Sequence, residues 1–424
     1  MTPDRGRPCD TPPPPATTAP APAGEPAARL DADQAARRLG VRRDTLYAYV
    51  SRGLIRSEPQ RGTRARLYHA EDVDLLVQRR QGRRDPGRMA AEALHWGAPL
   101  LESELTLIRD GRLYYRGIAV EALLAESSFE QVAGFLWGGS LTGGIDPVVP
   151  ALPRSADALA DLVAGLPPLE RFQVVLAATS GEDASAWDLS PPGVRRVGAK
   201  VLRLLAAIAV GEAPSGDPVA EVLQRAWLPR RRAARELLEA ALILWADHEL
   251  NVSTFTVRCV ASAAATPYAA VIAGLSALRG GLHGGATEQV EALFDEVADP
   301  ARARDVLEAR LRRGERIPGF GHWLYREGDP RAVALSARVR AAGVGARAVA
   351  LADAIADAAF RLIARRPNVD FATVGMRRAL GLPAGSALAI VAISRSAGWI
   401  AHAIEQYRSG RLIRPRARYT GETP

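Results

Sequence analysis

Apolar residues recur at three- and four-residue intervals through most of the 424-residue chain, a pattern that predicts helices nearly throughout and strands in few places. Beyond residue 91 the background is alanine, leucine, arginine and glutamate. There the spacing predicts helices over 156–163, 194–210, 233–246, 286–297, 301–312 and 348–364. Only 105–116 reads as β, with Asp110-Gly111 as a hairpin turn. Residues 259–278 carry no charge and have the length of a bilayer span, but the stretch is mostly alanine and is interrupted by Ser262, Thr266, Pro267, Tyr268 and Ser276. A buried helix pair turning near Pro267 is the expectation, with no membrane association. No internal repeat of fixed period is apparent. The predicted fold class of the body is all-α.

Residues 29–82 follow a different pattern. Residues 31–41 read as a short helix with Asp31 and Asp33 in its acidic first turn and Gly40 at its end. Residues 42–55 read as a second helix, with Leu46 and Val50 on the inner face and Gly53 as its stop. A basic hairpin at 61–68 and a third helix at 70–80 complete the segment. Two short helices meeting at a glycine turn form a helix-turn-helix. Charge sharpens the picture, because the whole chain has a formal charge of +8 while 29–84 alone sets 14 arginines against seven acids, a balance of +7.

The segment resembles the winged helix-turn-helix of MerR and excisionase-like regulators through Leu39-Gly40-Val41, Thr45-Leu46-Tyr47, Arg52-Gly53-Leu54-Ile55 and Arg66-Leu67-Tyr68. That resemblance implies that Arg42, Arg43, Thr45 and Tyr47 face a DNA major groove and that Arg61, Arg64 and Arg66 meet phosphates. A dimerisation or docking module of the same fold is the alternative, since an arginine-rich composition yields basic surfaces by itself. Residues 82–87 read as a linker. Residues 1–28, with nine prolines and no apolar core segment, read as a disordered tail and not as a signal peptide.

Composition narrows the chemistry. With 48% hydrophobic and 24% charged residues the chain can bury a large core in two or three domains. Cys9 and Cys259 are the only cysteines, which excludes a disulfide framework and a cysteine-rich zinc module and makes a reducing, cytoplasmic setting the default. Lys200 is the only lysine among 55 basic residues, and no phosphate-loop sequence surrounds it.

Three of the six histidines keep unusual company. His283 stands in Gly280-Gly281-Leu282-His283-Gly284-Gly285-Ala286, where glycines let backbone approach a ligand and a helix N-terminus follows. His322 ends Ile317-Pro318-Gly319-Phe320-Gly321-His322, and His248 lies in the polar run Asp247-His248-Glu249-Leu250-Asn251. His69, His95 and His402 read as structural. The wide separation of the first three and the absence of a His-Glu-x-x-His run argue against a metal site. Asp370, flanked by apolar residues in Asn368-Val369-Asp370-Phe371, is placed to be a raised-pKa base. Arg331, Arg395 and Arg414 sit in apolar or proline-fixed settings, and several such guanidinium forks together suggest a di- or tricarboxylate ligand.

Taken in order, 246–251 with Ser253-Thr254-Phe255-Thr256, 281–286, 318–322, 328–331, 368–371, and Ser394-Arg395 followed by 398–402 resemble citrate synthase along nearly all of 93–424. The resemblance implies a homodimer of two-domain helical subunits, the large domain spanning 90–284 and 386–424 and the small domain 285–385. It implies condensation of acetyl-CoA with oxaloacetate and hydrolysis of the citryl thioester, with no cofactor beyond the substrates. Asp370 would take the methyl proton, His283 would donate to the enolate oxygen and His322 would polarise the ketone. His248, Arg331, Arg395 and, from the partner subunit, Arg414 would hold carboxylates. Ile317, Gly319, Phe320, Gly321, Arg326 and Asn368 would meet CoA.

Departures from the family pattern fall at Trp245, Thr287, Trp323 and Ala372-Thr373-Val374. They touch the walls of the implied site and leave open whether acetyl-CoA or propionyl-CoA, the 2-methylcitrate synthase substrate, is used. Two further readings stay open at this stage: a DNA-binding regulator whose body senses acyl-CoA or carboxylates, and a degenerate subunit that pairs with another synthase.

Overall fold

Two units divide the chain, Met1–Glu102 and Ser103–Pro424. The computed structural model describes residues 29–60, 65–70, 72–74, 76–77, 101–231, 234–417 and 419–422. The expected tail at 1–28, Arg61, Arg64, the linker at 82–87, Cys9, His95 and the opening of the body at 90–100 lie outside the described residues.

In the first unit, helix Ala32–Leu39 begins with a capping box, Asp31 accepting from Gln34 N while Gln34 accepts from Asp31 N. It ends at Gly40 in the left-handed conformation (φ +61°). Helix Arg43–Ser51 follows after three residues and turns its buried Leu46 inward. Strand Arg66–His69 pairs antiparallel with Arg29–Leu30 on one side and Ser57–Pro59 on the other. The hairpin expected at 61–68 is therefore displaced: its first strand is Ser57–Pro59. Pairing is set there by Tyr68, which must point into the small core with Leu39, Leu46, Ile55 and Val73. The described part of the third helix is joined to this sheet by Arg56, whose N–H, Nε and Nη2 all donate to Asp72.

In the second unit strands are confined to one three-stranded sheet among the described residues, built on the expected hairpin. Thr106–Arg109 pairs with Arg112–Tyr115 across Asp110 and Gly111, both at positive φ, and a short third strand, Ile118–Ala119, extends it. Helix Pro191–Val210 starts three residues before the apolar spacing does. Two prolines fill positions whose N–H needs no partner, and Ser190 accepts from Gly193 N. The predicted helix at 301–312 opens with a 3-10 turn, Pro300–Arg302, before Ala303–Arg312. Helices Val252–Ser262 and Pro267–Leu278 form the expected pair beside Pro267. Among the described residues the helix that is long and apolar enough to cross a membrane is another one, Ser386–Ser409, and its apolar window is wholly buried. It is the central core helix.

Two hydrophobic clusters sit in this unit. The larger surrounds Ser386–Ser409 and includes Leu204, Leu238, Leu242, Ile393 and Trp399, all with essentially no exposure. The smaller gathers Val290, Phe294, Leu307, Ile355 and Phe371. Helix Val369–Leu380 supplies both, Ala372 and Met376 to the first and Phe371 and Val374 to the second. Its N-terminus thus lies at the seam between two cores.

Candidate active site

The seam gathers the residues singled out above. His248 sits between helices Ala234–Trp245 and Val252–Ser262 in a loop supported from below by the hairpin. Thr106 Oγ1 donates to Asp247, and Tyr115 Oη accepts from Asp247 N at 3.2 Å. Gly398 of the central helix lies against the same loop, where a Cβ would stand 2.4 Å from Ala246 O. His248 Nε2 lies 2.9 Å from Tyr325 Oη, and its ring meets that of His322 edge-on at 5.1 Å. Burial, then Arg331, holds the His248 imidazole well below its ordinary pKa, so it is neutral.

His322 closes a loop that is laced to the segment before Asp370. Gly321 N donates to Arg366 O at 2.8 Å, and Asn368 N donates to Gly319 O at 2.9 Å. Gly319 (φ +84°) is required there, since a Cβ would lie 2.8 Å from Val290 Cγ2. This lacing brings Ile317, Gly319, Phe320, Gly321 and Asn368 together. His322 Nδ1 accepts from Leu324 N at 3.2 Å, which leaves the ring proton on Nε2. Burial, then Arg331, lowers the His322 pKa to about 4. His283, on the glycine-rich turn before helix Ala286–Val297, places Nε2 2.8 Å from Ser253 Oγ and is likewise held at about 4, by burial and then by Arg395. Both rings are neutral donors at pH 7.

Asp370 lies in the first turn of Val369–Leu380, N-capped by Asn368. Burial raises its pKa, and the Thr287 hydroxyl, donating to Oδ1 at 2.7 Å, opposes that rise. Arg331 is buried and gripped by Asp329, its Nε at 3.0 Å from Oδ1 and its Nη2 at 2.8 Å from Oδ2. Asp329 also accepts from Val369 N at 3.1 Å, linking this pair to the Asp370 helix. Arg395 comes from the middle of the central helix and is 3% exposed. Arg331 Nη1 and Arg395 Nε and Nη1 are buried with no hydrogen-bond partner. Three unpaired guanidinium nitrogens beside neutral imidazoles are an acceptor-shaped deficit, which carboxylate oxygens fill. Arg395 also acts electrostatically on His248, His283, His322 and Asp370.

Two of the sequence-derived residues stand apart. Arg414 is exposed in the irregular segment after the central helix and has no polar partner among the described residues. Arg326 is exposed at a cavity of about 260 Å³ that also reaches His322, Tyr325, Phe360, Arg365 and Arg366. Arg365 and Arg366 were missed because they look like the charged end of a surface helix. Tyr325 and Ser253 were missed because neither stands out until its histidine partner is known. His402, read as structural, is fully buried with Nε2 3.4 Å from Asp247. Among the described residues no group of three or more His, Cys, Asp or Glu side chains is arranged to hold a metal.

Residues 93–416 match the family described as citrate synthase, C-terminal domain. The chain belongs to the citrate synthase family. Residues 29–81 separately match a helix-turn-helix domain. The chain is 34% identical over 364 residues to a citrate synthase of Haloferax volcanii, covering 77% of this chain and 94% of that one. It is 32% identical over 332 residues to a 2-methylcitrate synthase of Mycobacterium tuberculosis, covering 73% and 84%. The citrate synthase of Thermoplasma acidophilum, solved as a ternary complex with carboxymethyl coenzyme A and oxaloacetate, superposes with a TM-score of 0.70 at 27% identity, over 79% of this chain and 97% of that one. This citrate synthase family member thus joins an all-α synthase body to a helix-turn-helix unit.

Proposed function

We infer that the chain condenses acetyl-CoA with oxaloacetate, releasing citrate and CoA. The observation that carries this reading is the pair of buried arginines with three unpaired nitrogens beside neutral His322 and the desolvated carboxylate of Asp370. Asp370 removes a proton from the thioester methyl, and the C–H electron pair becomes the enolate. His283 stabilises the enolate oxygen by donating a ring N–H, its ring anchored by Ser253, whose Oγ lies 2.8 Å from Nε2. The enolate carbon attacks the ketone of oxaloacetate, whose oxygen is polarised by His322 Nε2–H and takes up a proton. Water then cleaves the citryl thioester. His248, Arg331 and Arg395 bind the acid, joined by Arg414 across a homodimer interface. The 317–321 loop, Arg326 and Asn368 bind CoA. A large domain of 90–284 with 386–424 and a small domain of 285–385 close over the seam and exclude water until carbon–carbon bond formation is complete.

Propionyl-CoA is the second thioester to consider, because the 2-methylcitrate synthase relative is matched over 84% of its length. Release of free CoA by the purified chain, given oxaloacetate with either thioester and with Asp370→Ala as control, tests the reaction and ranks the two. Absence of turnover with both would overturn it.

The 29–82 unit is assigned DNA binding on the outward face of helix Arg43–Ser51. Arg42, Arg43, Thr45 and Tyr47 are exposed there, while Leu46 is buried. Arg43 is held by Asp33 and Arg66 by Ser57, so Arg42 is the least committed of these three arginines.

A further inference from the structure

Arg395 poses a problem of charge. It is a guanidinium almost without exposure, has no hydrogen-bond or ion-pair partner among the described residues, and lies close enough to Arg331 to feel its repulsion. Asp247 and Asp370 favour its charge without touching it, and the Trp245 indole lies against it, the ring centre 5.3 Å from Arg395 Cζ. The same ring centre is 5.5 Å from Arg331 Cζ. One aromatic ring therefore serves both guanidinium groups. The ring is itself fixed: Trp245 is the last residue of a buried helix, and its Nε1–H donates to Thr373 Oγ1 at 2.8 Å. Thr373 Oγ1 donates in turn to Val369 O at 2.7 Å, and Val369 immediately precedes Asp370. A chain of contacts runs from the two acid-binding arginines, through the indole, to the helix turn that carries the base.

We propose that Trp245 is the positioning residue for the acceptor acid: its ring holds the Arg331 and Arg395 forks at a fixed separation suited to a short dicarboxylate, and its Nε1–H ties that pair to the Asp370 turn. The proposal rests on the condensation reading above. The physical logic is preorganisation. Two repelling cations in a dry site would drift apart or recruit water, and an incoming dicarboxylate would have to bring them back. A ring whose quadrupole attracts both keeps the unpaired N–H groups aimed into the cavity before the acid arrives. Leucine at this position fills similar space without an attractive face. Phenylalanine keeps a face but has no N–H.

The test uses the full chain and two independent readouts: calorimetric binding of oxaloacetate with no thioester present, and steady-state KM and kcat. Trp245→Leu is expected to weaken oxaloacetate binding by about tenfold while the thioester KM stays near its original value. Trp245→Phe is expected to restore most of that acid affinity but to turn over more slowly, and Thr373→Val is expected to behave as Trp245→Phe does.

If the original chain does not bind oxaloacetate, the condensation reading itself fails. If it binds and Trp245→Leu binds equally well, only the role of Trp245 is overturned. Equal losses of acid and thioester affinity would also overturn it, by marking a general packing defect. Should Trp245→Leu fail to fold, Trp245→Phe decides, because a loss of acid affinity there as large as that expected for leucine contradicts a role for the ring face.

Discussion

Replacing Arg395 with methionine should stabilise the unliganded protein and abolish its response to oxaloacetate. Burial, reinforced by Arg331, moves this guanidinium well below its ordinary pKa, down to about 10. At pH 7 the group is charged in both folded and unfolded chains, so the full cost of the lowering is present in the fold. A lowering of that size corresponds to about 3 kcal/mol. It would be relieved only as pH rises through about 10. Methionine removes the charge and keeps an apolar side chain of suitable length in the helix interior. The lost contact with the Trp245 ring offsets about 1–2 kcal/mol of the gain, leaving a net stabilisation on the order of 1–2 kcal/mol by the same bookkeeping. Oxaloacetate at a hundred times its dissociation constant should stabilise the original chain by about 2.7 kcal/mol, and the variant should lose that increment. Denaturant unfolding with and without oxaloacetate measures both quantities. A variant less stable than the original without ligand, or one that keeps the ligand increment, would refute the view of Arg395 as an unpaired charge awaiting a carboxylate.

Other consequences are equally open to measurement. Thr287→Val removes a hydrogen bond that favours ionised Asp370, so the acid limb of the kcat/KM profile should move upward by about one pH unit; an unmoved limb would show that Thr287 does not tune the base. His283 and His322 have folded pKa values of about 4 against an ordinary 6.5. Stability should therefore fall as pH drops from about 6.5 toward 4, where the unfolded chain binds the extra protons. The pH dependence of thermal unfolding across that range should become shallower in the double variant His283→Asn with His322→Asn, the part due to buried His248 remaining. If the N-terminal unit binds DNA through its second helix, Arg42→Ala should weaken binding and reduce the slope of log affinity against log salt by about one unit. An unchanged slope in a gel-shift titration would remove Arg42 from the phosphate or groove contacts.

Individual residues show how far the sequence can be read. His283 and His322 were conspicuous because tight glycine loops around a histidine serve close approach to a ligand, and such loops depend on local backbone geometry. Asp370 was conspicuous for a similar reason, as a lone acid in an apolar run at a helix start. The N-terminal helices are legible from their stops, Gly40 and Gly53, whereas the hairpin's first strand is not, because Ser57–Pro59 is three residues long and has no apolar alternation to mark it. That pairing is set by Tyr68 reaching a core assembled from three other segments. Tyr325, Ser253 and Trp245 gave weak signals because their importance lies in partners 77, 30 and 128 positions away.

Sequence alone determined the helical periodicity, the capped helix ends, the Asp110-Gly111 turn, the concentration of charge near the N-terminus and the identity of most chemical groups in the site. These follow from interactions between residues a few positions apart. Tertiary structure decided which arginines are left unpaired, which histidines are stripped of water to stay neutral, and that one indole faces two cations. Each of those depends on desolvation and on segments far apart in the chain meeting at the seam between two cores, and neither effect is encoded in local spacing.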